Sequence, residues 1–71
     1  MKFPNKSVEN TYNKIKGRTF THSPSFQVFT DQDGSKDYKY WDMMWLLDNG
    51  YIERLPFDIN KGICWYFKRK D

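Results

Sequence analysis

His22 and Cys64 are the side chains best suited to nucleophilic or metal chemistry, and each is the only one of its type among the 71 residues. One histidine and one cysteine cannot build a four-ligand zinc site. A catalytic nucleophile needs a neighbouring base, but His22 has no paired nucleophile, and Glu9 and Glu53 are not paired with each other. We therefore expect a non-enzymatic protein without metal or cofactor, in which Cys64 is a packed, inert thiol.

The acidic segment of residues 31–37 superficially suggests a calcium loop. It lacks the ligand spacing and the closing bidentate glutamate of an EF-hand, so we interpret it as a turn followed by a helix cap. Asp31 and Asp33 in this loop, together with Asp42 on the next predicted helix, would still form an acidic contact surface for a basic partner protein.

Basic side chains are concentrated at the two ends of the chain. The formal net charge is +3, with five bases and one acid before Asp31, against seven bases and eight acids from Asp31 onwards. A basic patch attracts nucleic-acid phosphates because binding releases counterions. The candidate phosphate contacts are Lys14, Lys16, Arg18, Arg54, Lys61, Lys68 and Arg69.

Aromatic residues make up 20% of the chain, and three of them directly precede the basic residues 68–70. Exposed rings stack on the bases of single strands, at about 1–3 kcal/mol per base. The same rings are also needed for the core, because the chain has no alanine and no second cysteine for a disulfide. We expect Trp65 and Phe67 to lie in the core, and we expect this less strongly for Tyr66.

The N-terminal part predicts a short helix followed by a β-hairpin. An apolar stripe at helical spacing indicates a helix over residues 8–16, with Ser7 as N-cap and Gly17 as C-terminal stop. β-favouring residues predict strands over residues 19–21 and 26–30, joined by a Ser-Pro-Ser turn.

A second helix is predicted over residues 36–48, with Ser35 or Asp37 as its cap and Asn49-Gly50 as its end. Asp42 is expected to point away from the apolar face of this helix. Two adjacent rows make that face, and they consist of Tyr38, Trp41, Trp45, Tyr40, Met44 and Leu47.

The C-terminal part predicts a strand over residues 51–55, a loop over residues 57–62 and a strand over residues 63–68. The last strand has apolar groups on both faces, so we expect it to be central or covered on both sides. Residues 1–6 and 69–71 are expected to fray. The chain thus predicts one small α+β domain of order α-β-β-α-β-β, with two helices packed on an antiparallel sheet.

A helix that ends in Trp-Leu-Leu-Asp-Asn-Gly, the strand Tyr-Ile-Glu-Arg after it, and a hairpin returning through Tyr66 resemble the C-terminal half of winged-helix domains. The resemblance covers residues 38–68. It implies a wing with Lys61 at its tip and Arg54 at its base as phosphate contacts. The aspartates of the predicted recognition helix would be repelled by the phosphates of a major groove.

Residues 1–13 lack the apolar region of a signal peptide, and no apolar run approaches the roughly 20 residues that span a bilayer. Together with the free thiol, this favours the cytoplasm and argues against a membrane partner. The composition, rich in Lys, Asn and Tyr, is common in AT-rich genomes, including those of many phages.

Two hypotheses follow from these patterns. The first is a phage or mobile-element accessory protein that binds a host protein as an inhibitor or adaptor, anchored by an exposed aromatic residue such as Tyr40 or Tyr51. The second is a winged-helix-like regulator that binds DNA or RNA. We favour the first, because the acidic helix opposes contact with DNA.

Overall fold

The computed structural model describes residues 3–56, 60 and 65–70. In chain order the elements are α1 (Lys6–Lys14), β1 (Thr19–Ser23), β2 (Val28–Asp31), β3 (Asp37–Tyr38), α2 (Tyr40–Asp48), β4 (Ile52–Arg54) and β5 (Tyr66–Arg69). The predicted α+β class, with two helices and a small antiparallel sheet, is confirmed. The strand β3 is an element that the sequence did not predict.

Helix α1 begins earlier than predicted, because Asn5 caps it instead of Ser7. The Oδ1 atom of Asn5 accepts a hydrogen bond of 2.9 Å from the backbone N–H of Val8, which is the contact that an N-cap side chain makes. The segment before the helix is also part of the fold, since the ring centroids of Phe3 and Tyr12 lie 5.1 Å apart. The predicted fraying of residues 3–6 is therefore wrong. Gly17 has the expected positive φ, 70°, but the helix already ends at Lys14 with Ile15 as its C-cap, two residues earlier than predicted.

The predicted hairpin is confirmed as the antiparallel pair β1–β2. Its second strand begins at Val28, two residues later than expected, because residues 24–27 form the turn. Phe26 therefore belongs to the turn and is 82% exposed, while Phe29 is fully buried.

The segment before α2 is extended, not helical. Asp37 and Tyr38 pair with Thr30 and Phe29 of β2, so α2 begins only at Tyr40 and its N-cap, Lys39, makes no side-chain cap hydrogen bond. The predicted caps, Ser35 and Asp37, are wrong. This strand pairing is a tertiary interaction, and it outweighs the local helical pattern.

The five strands of the described residues form one antiparallel sheet in the order β3-β2-β1-β5-β4. Strand β5 lies between β1 and β4, as expected for a central strand. It extends to Arg69, which pairs with Ile52, and the N–H of Lys70 donates to the carbonyl of Tyr51 at 2.8 Å. The prediction that residues 69 and 70 fray is therefore wrong.

The two faces of this sheet differ sharply in burial. One face packs into the core, and its buried strand residues are Phe20, Phe29, Asp31, Tyr38, Ile52 and Phe67. The helices contribute Val8, Ile15, Met43 and Leu46 to the same core. Side chains alternate along a strand, so the opposite face carries half-buried or exposed residues: Thr19, Thr21, Thr30, Glu53, Tyr66 and Lys68. We call this opposite face the open face.

Both described helices have nine residues. Within the described ranges, neither is long and apolar enough to cross a membrane.

Candidate binding surfaces

The sheet has two chemically different ends. The starts of β1 and β4 and the end of β5 lie together, because Thr19 pairs with Lys68 and Ile52 pairs with Arg69. We call this the basic end. The opposite end holds the β1–β2 turn and the residue before β5, and the contact between Tyr40 and His22 brings the start of α2 to the same end. We call it the aromatic end after its exposed residues Phe26, Trp41 and Trp65.

The aromatic end carries all three of the exposed large hydrophobic side chains in the described part of the chain. Phe26 is 82% exposed, Trp41 71% and Trp65 42%. Trp41 packs edge-on against Tyr40, with ring centroids 5.0 Å apart. Tyr40 in turn lies 5.7 Å from His22, so half-buried rings connect Trp41 to the core.

The ring of His22 packs beneath the aromatic end. Its ring stacks on Phe29 with a centroid distance of 4.3 Å and an interplanar angle of 3°. The Nε2 atom is buried and makes no hydrogen bond within the described part of the chain. Burial lowers the pKa of His22 and so favours the neutral imidazole, which acts as a packing group in this surface.

Arg54 belongs to the aromatic end. Its guanidinium lies 4.3 Å from the ring centroid of Trp65, in the position of a cation–π contact. The sequence predicted a buried Trp65 and a phosphate contact by Arg54. The structure instead places Trp65 at the surface, with Arg54 on its ring.

The aromatic residues predicted to anchor an interface are less exposed than Phe26, Trp41 and Trp65. Tyr40 and Tyr51 are both half-buried, and Tyr51 stacks on Trp45 with a centroid distance of 5.6 Å. The sequence missed Trp41 because it placed this residue on one helical row with Tyr38. Since Tyr38 lies in a strand, that row does not exist, and α2 buries Met43 and Leu46 instead.

The predicted acidic contact surface is not formed. Asp42 is 8% exposed and faces α1, where its Oδ2 atom accepts hydrogen bonds from Ser7 at 2.7 Å and Thr11 at 2.9 Å. Its carboxylate joins the two helices, so the expectation that it belongs to an exposed contact surface is wrong. Asp33 is exposed, and one of its carboxylate oxygens lies 3.3 Å from Arg18.

Asp31 is 3% exposed and is the centre of a polar cluster. Its Oδ1 atom accepts hydrogen bonds from Nε of Arg18 at 2.9 Å and from the hydroxyl of Tyr38 at 2.7 Å, and Nη2 of Arg18 donates to Oδ2. These bonds, first that from Arg18, hold the pKa of Asp31 well below its usual range. Burial raises the pKa of Tyr38 to about 12, and the hydrogen bond to Asp31 is the second cause of this increase. Asp31 therefore stabilises the fold and does not offer a contact, and Arg18 is engaged by two aspartates.

Several of the predicted phosphate contacts meet at the basic end. A cleft of about 320 Å³ is lined by Gly17, Arg18, Thr19, Glu53, Lys68, Arg69 and Lys70. Lys68 and Lys70 are exposed, as is Lys16 beside Gly17. Arg69 is held inward, with Nη1 donating to the Tyr12 carbonyl at 3.3 Å and the guanidinium above the Tyr12 ring.

The remaining predicted contacts do not join this cleft. Lys14 lines a separate cleft between the helices, together with Ser7, Asn10, Thr11 and Lys39. Lys61 and Cys64 lie outside the described residues. Over the ranges that are described, no three His, Cys, Asp or Glu side chains come together as metal ligands.

Comparisons of the chain with protein-family models, with curated proteins and with solved structures find no match in any of the three. Helix α2 is followed by the antiparallel strands β4 and β5. The resemblance to winged-helix domains stays a prediction.

Proposed function

We propose that this chain is a non-enzymatic binding protein that attaches to a host protein through its aromatic end and acts as an inhibitor or adaptor. The observation that supports this proposal is the exposure of Phe26 and Trp41, at 82% and 71%. Large apolar side chains exposed at one end of a molecule are candidates for an interaction surface, and tryptophan is among the residues that contribute most to interface affinity.

The surroundings of the aromatic end favour a particular kind of partner surface. The guanidinium of Arg54 lies on the ring of Trp65, whereas the ammonium of Lys39 reaches Ser7 in the cleft between the helices. The charge held directly on an exposed ring is therefore cationic. We therefore expect the partner to present an apolar patch bordered by carboxylates, because opposite charges at the rim increase the association rate and select the partner.

The half-buried rings under the surface help to keep it preorganised. Tyr40 contacts Trp41, Phe29 and His22 with centroid distances between 5.0 and 5.8 Å. A rigid aromatic anchor loses little conformational freedom on binding, so more of the contact energy is retained as affinity.

The test begins with capture of partners from nuclease-treated host lysate, followed by calorimetric titration of the purified partner. Trp41→Ala is expected to weaken binding by about 2 kcal/mol or more, because it removes a large exposed aromatic anchor. Asp48→Ala is the matched control, since Asp48 is exposed at the other end of the same helix. Equal affinities of the two variants would contradict the proposal, as would capture that is lost after nuclease treatment.

A further inference from the structure

We propose that the open face of β5 binds a single-stranded nucleic acid along the line of Tyr66, Lys68 and Lys70. This surface differs from the aromatic end, and the proposal does not depend on the proposed function. It concerns the aromatic and basic segment of residues 65–70, whose side chains alternate between the two faces of the sheet.

Strand β5 separates its side chains by alternation. Phe67 is 7% exposed and lies in the core, and Arg69 is held over Tyr12. Tyr66 and Lys68 therefore project from the open face, half-buried and exposed respectively. Lys70 is exposed and lines the same cleft as Lys68. The result is a row of one ring and two cations.

The spacing of this row suits an extended polyanion. Alternate residues on a strand are about 6.8 Å apart, which is comparable to the separation of neighbouring phosphates along a single strand. In the described part of the chain neither Lys68 nor Lys70 forms an ion pair, so both ammonium groups can exchange counterions for phosphates.

The strands on either side of β5 indicate where a bound nucleic-acid strand would pass. Thr19 and Thr21 of β1 lie opposite Lys68 and Tyr66 and bring short polar side chains to the open face. On the other side, Glu53 of β4 lies opposite Lys68 and repels phosphates. A bound strand is therefore expected to pass on the β1 side and continue into the cleft beside Gly17, whose missing side chain leaves the backbone accessible.

A single strand fits these residues better than a duplex. Tyr66 can stack on an unpaired base, whereas the faces of paired bases inside a duplex are covered by their neighbours. The two lysines also form a single row along one strand, which matches one phosphate backbone.

The direct test is fluorescence anisotropy of a labelled 12-nucleotide oligothymidine at low salt. Lys68→Gln and Lys70→Gln are each expected to weaken binding and to reduce the slope of log K against log salt by about 0.7. Tyr66→Leu is expected to weaken binding roughly tenfold with the salt slope unchanged, because it removes stacking and no charge.

Lys36→Gln is the matched control, because Lys36 is an exposed lysine in the loop between β2 and β3. Circular dichroism of each variant establishes that it is folded. Loss of affinity in Lys36→Gln as large as in Lys68→Gln would overturn the proposal, because binding would then depend only on net charge. Equal competition by a duplex, or no saturable binding by the wild-type protein, would overturn it as well.

Discussion

The carboxylate of Asp31 shows how one buried residue can determine the roles of its neighbours. It accepts hydrogen bonds from Arg18 and Tyr38, so it joins the start of β1 to the end of β2 and to β3. A buried charge is tolerated when it is paired and hydrogen-bonded in this way. The same contacts remove Arg18 from the set of cations available to phosphates.

This cluster predicts that stability falls in acid. The pKa of Asp31 is lower in the folded protein than its ordinary value of 3.8, so its contribution is present above that value and is lost as the pH falls below it. Asp31→Asn should be less stable than the wild type in urea unfolding at pH 7, and the difference should shrink as the pH decreases below 4. A difference that is independent of pH would show that the charge of Asp31 does not contribute.

Among the residues, sequence reasoning failed where the surroundings of a side chain come from distant parts of the chain. It predicted that Asp31 and Asp42 lie at the surface, although both are buried. Their partners Arg18 and Thr11 are 13 and 31 residues away in the chain, and no local pattern reveals such pairs.

At the scale of elements, local signals located α1, the β1–β2 hairpin and the end of α2. The glycines after both helices have positive φ values, 70° at Gly17 and 81° at Gly50, which few other residues adopt without strain. The start of α2 was misplaced because β3 exists only through its pairing with β2. An isolated segment of two residues has no strand signal of its own.

The N-terminus of α1 gives an element-scale prediction. Asn5→Ala should destabilise the protein by about 1 kcal/mol in urea unfolding, because it removes the acceptor of the Val8 N–H. Asn10→Ala is the matched control, since Asn10 is exposed inside the same helix and alanine is the better helix former there. Equal effects of the two changes would mean that Asn5 does not act as the cap.

At the scale of the whole molecule, the fold sorts most of the aromatic residues that the structure describes into three groups. Phe20, Phe29 and Phe67 build the core beneath the sheet. Phe3, Tyr12, Trp45 and Tyr51 form a second packed group that joins α1, α2 and the start of β4. Phe26, Trp41 and Trp65 remain exposed, although a chain of 71 residues has little apolar surface to spare from its core. We infer that their exposure serves binding.

The arrangement also separates two surfaces in space. The aromatic end and the basic end lie at opposite ends of the same strands, since β1 runs from Thr19 beside Lys68 to the turn that carries Phe26. If both proposals hold, one small domain attaches to a protein by one end while a nucleic-acid strand lies along its open face. That is the geometry of an adaptor.

The most direct test of the central claim uses the indole N–H signals of the three tryptophans in nitrogen-15 NMR spectra. Trp41 and Trp65 lie at the aromatic end, whereas Trp45 packs between Phe3 and Tyr51 and serves as an internal control. On addition of the partner protein captured from lysate, we predict that the signals of Trp41 and Trp65 shift or broaden while that of Trp45 changes least. Unchanged signals of Trp41 and Trp65 in the saturated complex would contradict binding through the aromatic end.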